Sequence, residues 1–363
     1  MSTARLLRPS ANCLKSLKPS PRRYTTPTTP PTNPRHFLSI ADLTPLELTT
    51  LVRNAAIHKS TVKSSGPASL PRHLHQSLAG HTLALMFTKR STRTRVSSEA
   101  AISMLGGHPL FLGSADIQLG VNESLHDSSV VISSMVSAMV ARVDAHSDIT
   151  QLAAHSSKPV INALSDSYHP LQAIADTLTL SEAFPSNTSS NTLGLEGLKI
   201  AWVGDANNVL FDLAIAAAKL GLHLSVATPK GYGTPPEMLQ HIHASAAPNN
   251  ANFRIHETNI PEEAVKDADV LVTDTWISMG QESAKAQKLK DFAGFQITAE
   301  LAQRGGAKEG WRFMHCLPRK PEEVSDEVFF DRERSLVWTE AENRLWGMLA
   351  VLEGFVVKGG KID

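Results

Sequence analysis

Short apolar runs, each followed by a polar turn and then an amphipathic stretch, recur from residue 37 to near the C-terminus. The runs 83–87 (LALMF), 140–143, 159–163 (PVINA), 198–203 (LKIAWV), 222–227, 252–256, 269–273 (DVLVT) and 311–317 read as strands. The stretches 92–105, 124–139, 170–183, 208–220, 261–267 and 339–357 read as helices. Parallel strands need long crossovers, and helices supply them. The alternation therefore predicts an α/β fold of parallel sheets covered by helices. The polar segment 185–197 (PSNTSSNTLGLEG) interrupts the pattern and reads as a surface connection. It separates an N-terminal unit of about 37–180 from a second of about 198–335. The last helix carries Trp346, Met348, Leu349 and Leu352 and needs a buried face, but periodicity does not say which unit provides it.

Composition narrows the class. A chain of 363 residues accommodates two ordinary domains, and 42% apolar with 19% charged residues excludes a wholly disordered chain. No apolar run reaches the roughly 18 residues of a membrane-spanning helix. Two cysteines, Cys13 and Cys316, exclude a disulfide scaffold and a Cys-only zinc site. The zero net charge argues against a general nucleic-acid magnet, yet it conceals an asymmetry. Arg5, Arg8, Lys15, Lys18, Arg22, Arg23 and Arg35 precede Asp42, the first acid, leaving 28 Lys and Arg against 35 acids in the remainder. A basic, hydroxyl-rich, acid-free segment with no apolar centre predicts a mitochondrial transit peptide over residues 1–35, the alternative being a disordered basic tail. Cleavage is expected near Arg23–Tyr24 or shortly after, which would leave Cys316 as the mature protein's only thiol.

The chemistry-bearing residues cluster where predicted strands end. Phe87-Thr88-Lys89-Arg90-Ser91-Thr92-Arg93-Thr94-Arg95 follows a strand and opens a helix that Ser91 or Thr92 can cap. Free N–H groups, hydroxyls and arginine forks suit a phosphate. The P-loop glycines are missing, so a nucleotide is not implied. Arg142 lies inside the apolar run Val140–Val143 and needs an anion or an acid beside it. His169, Gln172 and Asp176 share one face of a helix opened by His169-Pro170. Near a positive helix end a neutral imidazole is favoured. Gly204-Asp205-Ala206-Asn207-Asn208 and Asp274-Thr275-Trp276 end strands in the second unit, where side-chain amides and an acid can meet an amine; Ser278-Met279-Gly280 follows on a loop. His315-Cys316-Leu317-Pro318-Arg319 ends the last strand. Neighbouring strand residues point to opposite faces, so His315 is poorly placed as a base for Cys316, and thiol catalysis is disfavoured.

Taken together, these motifs resemble the carbamoyltransferase family, in its ornithine-using branch, from about residue 37 onward. Ser91-Thr92-Arg93-Thr94 and His169-Pro170-Leu171-Gln172 resemble the carbamoyl-phosphate half common to the family. Asp274-Thr275-Trp276 with Ser278-Met279-Gly280, and His315-Cys316-Leu317-Pro318-Arg319, resemble the ornithine branch. The resemblance implies two doubly wound parallel-sheet domains with the active site in their cleft. Domain boundaries are expected at 36–184 and 185–338, with helix 339–357 returning to the first domain. The implied enzyme converts carbamoyl phosphate and L-ornithine to L-citrulline and phosphate in arginine biosynthesis, as a homotrimer of the mitochondrial matrix, without metal or organic cofactor, nucleic acid or membrane. Ser91, Thr92, Arg93 and Thr94 would bind phosphate; Arg142, His169 and Gln172 the carbonyl and amide; Cys316, Leu317 and Arg344 would complete that half. Asn207, Asp274, Ser278 and Met279 would hold ornithine, and Gln118 would reach a neighbouring subunit's site. Ala206 stands where many relatives have glycine. A carbamoyltransferase for another amine, or a non-catalytic anion-binding relative, is the alternative.

Overall fold

The computed structural model describes residues 34–114, 117, 123–185, 192–246, 253–277 and 285–363. Residues 1–33 of the expected transit peptide 1–35 lie outside the described residues, as do Gln118, Ser278 and Met279; Arg35, at its end, is bound into the fold, pairing with Glu47 and donating to the Gly360 carbonyl at 3.0 Å.

The first half runs α1 (Pro45–Ser65), β1 (Thr82–Phe87), α2 (Thr92–Met104), β2 (His108–Gly113), α3 (Leu125–Met135), β3 (Ala138–Arg142), α4 (His146–His155), β4 (Val160–Leu164) and α5 (Pro170–Ala183). The second runs β5 (Lys199–Val203), α6 (Asn208–Leu220), β6 (His223–Ala227), α7 (Pro236–Ala244), β7 (Ile255–Thr258), α8 (Pro261–Val265), β8 (Val270–Val272), α9 (Lys285–Asp291), α10 (Ala299–Gly305), β9 (Arg312–Met314), α11 (Asp326–Phe329) and α12 (Val337–Leu352). The strands form two parallel sheets, ordered β2-β1-β3-β4 and β7-β6-β5-β8-β9, with helices packed against both. This is the α/β fold of helix-covered parallel sheets that the alternation predicts, in the two doubly wound domains that the resemblance implies.

Most departures from the sequence reading have a local cause. The expected helix 124–139 stops at Met135, because Val136 turns extended and Ser137 donates its N–H to Thr82 in β1 at 2.8 Å. The expected strand 311–317 ends at Met314: the N–H of His315 turns to the Glu340 carboxylate at 2.9 Å, and Leu317 adopts a left-handed φ of 62°. The strand expected at 252–256 is β7, which begins at Ile255 opposite Leu224. Leu195 is buried, so the expected surface connection 185–197 contributes to the core. Periodicity does not resolve α1, β2, α4, α7, α9, α10 and α11.

The C-terminal helix joins the halves. α12 packs on α5, α2 and α1, and Val351, Leu352 and Phe355 enter the same apolar cluster as Leu48, Leu171 and Leu213. Its last turn passes into a π-helical segment Glu353–Val357. There the buried Glu353 carboxylate binds His58 of α1 at 2.7 Å and His73 at 2.8 Å. A second junction is Asp212 of α6, which accepts from the Ser39 hydroxyl at 3.0 Å and the Ile40 N–H at 2.9 Å.

Candidate active site

The carboxyl ends of β1 and β3 face the cleft between the sheets. Thr88 locks them together, donating to the Arg142 carbonyl from its N–H at 3.0 Å and its hydroxyl at 3.2 Å. Ser91 caps α2, accepting from the Thr94 N–H at 3.3 Å, so the helix presents its unpaired N–H groups to the cleft. The two arginines of this turn part company. Arg95 pairs with Glu99 at 2.8 Å and lies 3.7 Å over the Phe111 ring, whereas Arg93 crosses the cleft and donates to the Leu317 carbonyl.

Arg142 and Arg344 are buried beside Arg93. Burial first, and then the Arg93 charge, lowers each guanidinium to about 10. Nε of each lacks a partner among the described residues. Buried like charges with unspent donors form a socket for a multivalent anion. His169 opens α5 in the same socket, with Nδ1 unpartnered among the described residues. Burial, then the charges of Arg344, Arg142 and Arg93, hold its imidazole well below the ordinary value, so it is neutral near pH 7. A neutral imidazole retains one N–H to donate.

Gln172 sits one turn into α5, fully enclosed. Its Oε1 accepts from Arg344 at 2.7 Å, while Arg344 also donates to the Thr94 hydroxyl at 2.9 Å. Its Nε2 donates to Asp176 at 2.7 Å and to Glu340 of α12 at 3.0 Å. α2, α5 and α12 are thereby tied around one amide.

The opposite wall comes from the second sheet. Asn207 caps α6, its Oδ1 accepting from Val209 at 3.0 Å and Leu210 at 3.3 Å, which leaves its Nδ2 to donate to Asp274 at 2.8 Å. Asp274 follows β8 and receives the Cys316 thiol at 3.0 Å. Burial, and then the Asp274 charge, raises that thiol well above its ordinary value, so it stays protonated. Ligand-type atoms of Asp274, His315 and Cys316 lie within 4.8 Å of one another. They are engaged with other groups: His315 accepts the Leu317 N–H at 2.8 Å through Nδ1 and meets Glu323 at 3.1 Å through Nε2. This also removes His315 as a base for Cys316. Asp205 is held by Lys288 at 2.7 Å.

The structure thus brings Ser91, Thr92, Arg93, Thr94, Arg142, His169, Gln172 and Arg344 to one side of the cleft, and Asn207, Asp274, Cys316 and Leu317 to the other. The sequence reading passed over Glu340, which meets Gln172 and His315 together, and Glu323, which holds His315. Neither carries a local sequence signal: Glu340 lies on α12, where only the fold shows it buried with Val337, Asn343 and Trp346.

An α/β protein with an arginine-lined anion socket facing a carboxylate–amide–thiol wall belongs to the class that joins two small polar substrates in an interdomain cleft. Comparison with known proteins sharpens the class. Residues 35–182 match the aspartate/ornithine carbamoyltransferase carbamoyl-P binding domain, and residues 196–354 match the Asp/Orn binding domain of the same family. Among curated relatives, the mitochondrial ornithine carbamoyltransferase of Emericella nidulans is 64% identical, across 96% of this chain and 97% of its own. That of Aspergillus niger is 64% identical across 93% and 91%. The crystal structure of the mitochondrial enzyme from Coccidioides immitis superposes with a TM-score of 0.85 at 60% identity, covering 92% of this chain and all of that one. The ornithine carbamoyltransferase from Pyrococcus furiosus gives 0.80 at 41%, covering 90% and 97%. The chain belongs to the aspartate/ornithine carbamoyltransferase family.

Proposed function

We infer that the chain transfers the carbamoyl group of carbamoyl phosphate to the δ-amine of L-ornithine, forming L-citrulline and phosphate in arginine biosynthesis. The observation that carries this reading is the cleft itself: three arginines and a neutral histidine on one wall, and the Asn207–Asp274–Cys316 chain on the other. The 64% identity to proteins named mitochondrial ornithine carbamoyltransferase supports the same substrates.

In this reading Ser91, Thr92, Arg93 and Thr94 bind the phosphate, and Arg142, His169 and Gln172 hold the carbonyl and amide. Leu317 and Arg344 complete that half, and Asp274 with Asn207, Ser278 and Met279 orients ornithine by its α-ammonium and carboxylate. The neutral δ-amine attacks the carbonyl carbon, a C–N bond forms, and negative charge develops on the carbonyl oxygen. Arg142 and His169 donate to that oxygen. The carbon–oxygen bond to phosphate then breaks, phosphate departs against Arg93 and Thr94, and it takes the amine proton. Cys316 acts as a thiol donor that lines the ornithine pocket; its protonated state supports a non-covalent role. Asp274 and its neighbours require no metal or organic cofactor for these steps.

We propose further that the acid-free residues 1–35 address the chain to the mitochondrial matrix, that domains of 36–184 and 185–338 share helix 339–357, and that three copies assemble with Gln118 reaching a neighbouring site. Citrulline formation assayed with ornithine, aspartate, putrescine and an acylated ornithine tests the reading. Turnover with free ornithine is expected. Turnover only with another amine, or with none, would overturn it.

A further inference from the structure

The Gln172 amide has only one allowed orientation. Reversed, its oxygen would face the Asp176 and Glu340 acids, and its NH2 would face the Arg344 guanidinium. As placed, both N–H bonds go to the acids, at 2.7 and 3.0 Å, and the oxygen takes Arg344 at 2.7 Å. All four side chains are buried, at 1–2% exposure. The amide therefore offers the cleft an acceptor, through the second lone pair of Oε1, and no donor.

We propose that Asp176 and Glu340 form a proton-sharing acid pair that positions Gln172, so that its oxygen alone faces the one-carbon donor and selects an acyl group bearing N–H. The two carboxyls converge on one NH2 group, at 2.7 and 3.0 Å, and two buried acids held that close share a proton rather than ionise together. Burial raises both well above ordinary carboxylates, and the single charge that remains is matched by Arg344. Glu340 uses its other oxygen for the His315 N–H at 2.9 Å, so the pair also indexes α12 to the Cys316 loop. Neither acid is a catalytic residue; both act through Gln172. The inference rests on the reading of Gln172 as a carbamoyl contact.

A double-mutant cycle on the full chain separates the two ideas. Gln172→Met and Asp176→Leu are measured singly and together, with Asp176→Asn as the conservative replacement that keeps an oxygen acceptor. Loss of orientation at a reacting group costs on the order of 100-fold in kcat/KM for carbamoyl phosphate. That loss is expected for Gln172→Met and for Asp176→Leu, while the pair together should lose no more than Gln172→Met alone. Asp176→Asn should stay within about twofold of the native chain, and the KM for ornithine should not move. Multiplying losses in the double variant, or an Asp176→Asn variant as impaired as Asp176→Leu, would overturn the proposal. Native turnover by Gln172→Met would instead overturn the reading of Gln172 beneath it. Should Asp176→Leu fail to fold, Asp176→Ala is read in the same cycle with the same criteria.

Discussion

Arg93 is the residue on which the two walls meet, since it leaves the capped turn of α2 and reaches the Leu317 carbonyl. Replacing it with alanine removes a donor aimed at developing charge, which typically costs on the order of 100-fold or more in turnover. Arg93→Ala should show that loss with an unchanged melting temperature; near-native turnover would contradict its assignment. Protonation has an equally local reading. His169 is held well below its ordinary value by burial and three arginines, so no rise in rate near pH 6.5 should come from it. The δ-amine of ornithine, with a lysine-like value of about 10.4, must lose a proton before it attacks. kcat/KM for ornithine should therefore climb steadily from pH 6 to 9, and a flat profile with chemistry rate-limiting would contradict the mechanism. These residues were legible from local signals: Ser91 and Asn207 cap helices, and His169 stands just before the Pro170 that opens α5. Glu340 had none, for it lies far along the chain from Gln172 and only the return of α12 brings them together.

The elements that were read well combine a clear start, a capping Asn207 or an opening Pro170, with an apolar face. α5 and α6 match the expected 170–183 and 208–220, and Asn207 caps the latter through two N–H groups. α1 was missed because its buried side includes His58 and Lys59, which blur the apolar stripe. β2 was missed as an edge strand, half-exposed and carrying Pro109. The polar contacts that hide such elements from periodicity also hold them in place. Glu353→Gln would withdraw a charged acceptor from His58, His73 and Lys358, and hydrogen bonds to a charged group are worth about 2 kcal/mol. Chemical denaturation should show that loss, with activity per folded molecule retained; an unchanged stability would contradict the clamp. Asp212 makes stability depend on pH. Burial raises it to about 7 despite donors from Ile40, Ser39 and His169, so the native state keeps a proton that the unfolded chain releases. Its contribution is present below the unfolded value of 3.8 and declines as pH rises towards about 7, beyond which it is flat. The melting temperature of the native chain relative to Asp212→Asn should fall over that window, and a constant difference would contradict the assignment.

For the whole molecule, the two sheets, their order and the α12 return are one device for setting two substrate pockets face to face. The alternation of strands and helices was enough to expect two units of parallel sheet covered by helices; the strand order carried no signal in it, and the return of α12 was implied by the resemblance alone. Assembly was accessible only by resemblance. The exposed apolar side chains Val130, Val131 and Met135 lie together on α3, and contiguous exposed apolar surface marks a contact face. In the proposed trimer this face is covered, so Met135→Glu should shift sedimentation from three copies towards one; an unmoved trimer would place the contact elsewhere.

The central claim is that a phosphorylated one-carbon donor and a diamino acid meet between these walls. A crystal of the chain grown with a bisubstrate mimic, a phosphonate joined through an acetyl group to the δ-nitrogen of ornithine, tests it most directly. The phosphonate is expected at the N-terminus of α2 against Arg93 and Thr94, the amide carbonyl on Arg142 and His169, and the α-ammonium on Asp274. Finding the mimic outside the cleft, or reversed within it, would contradict the account.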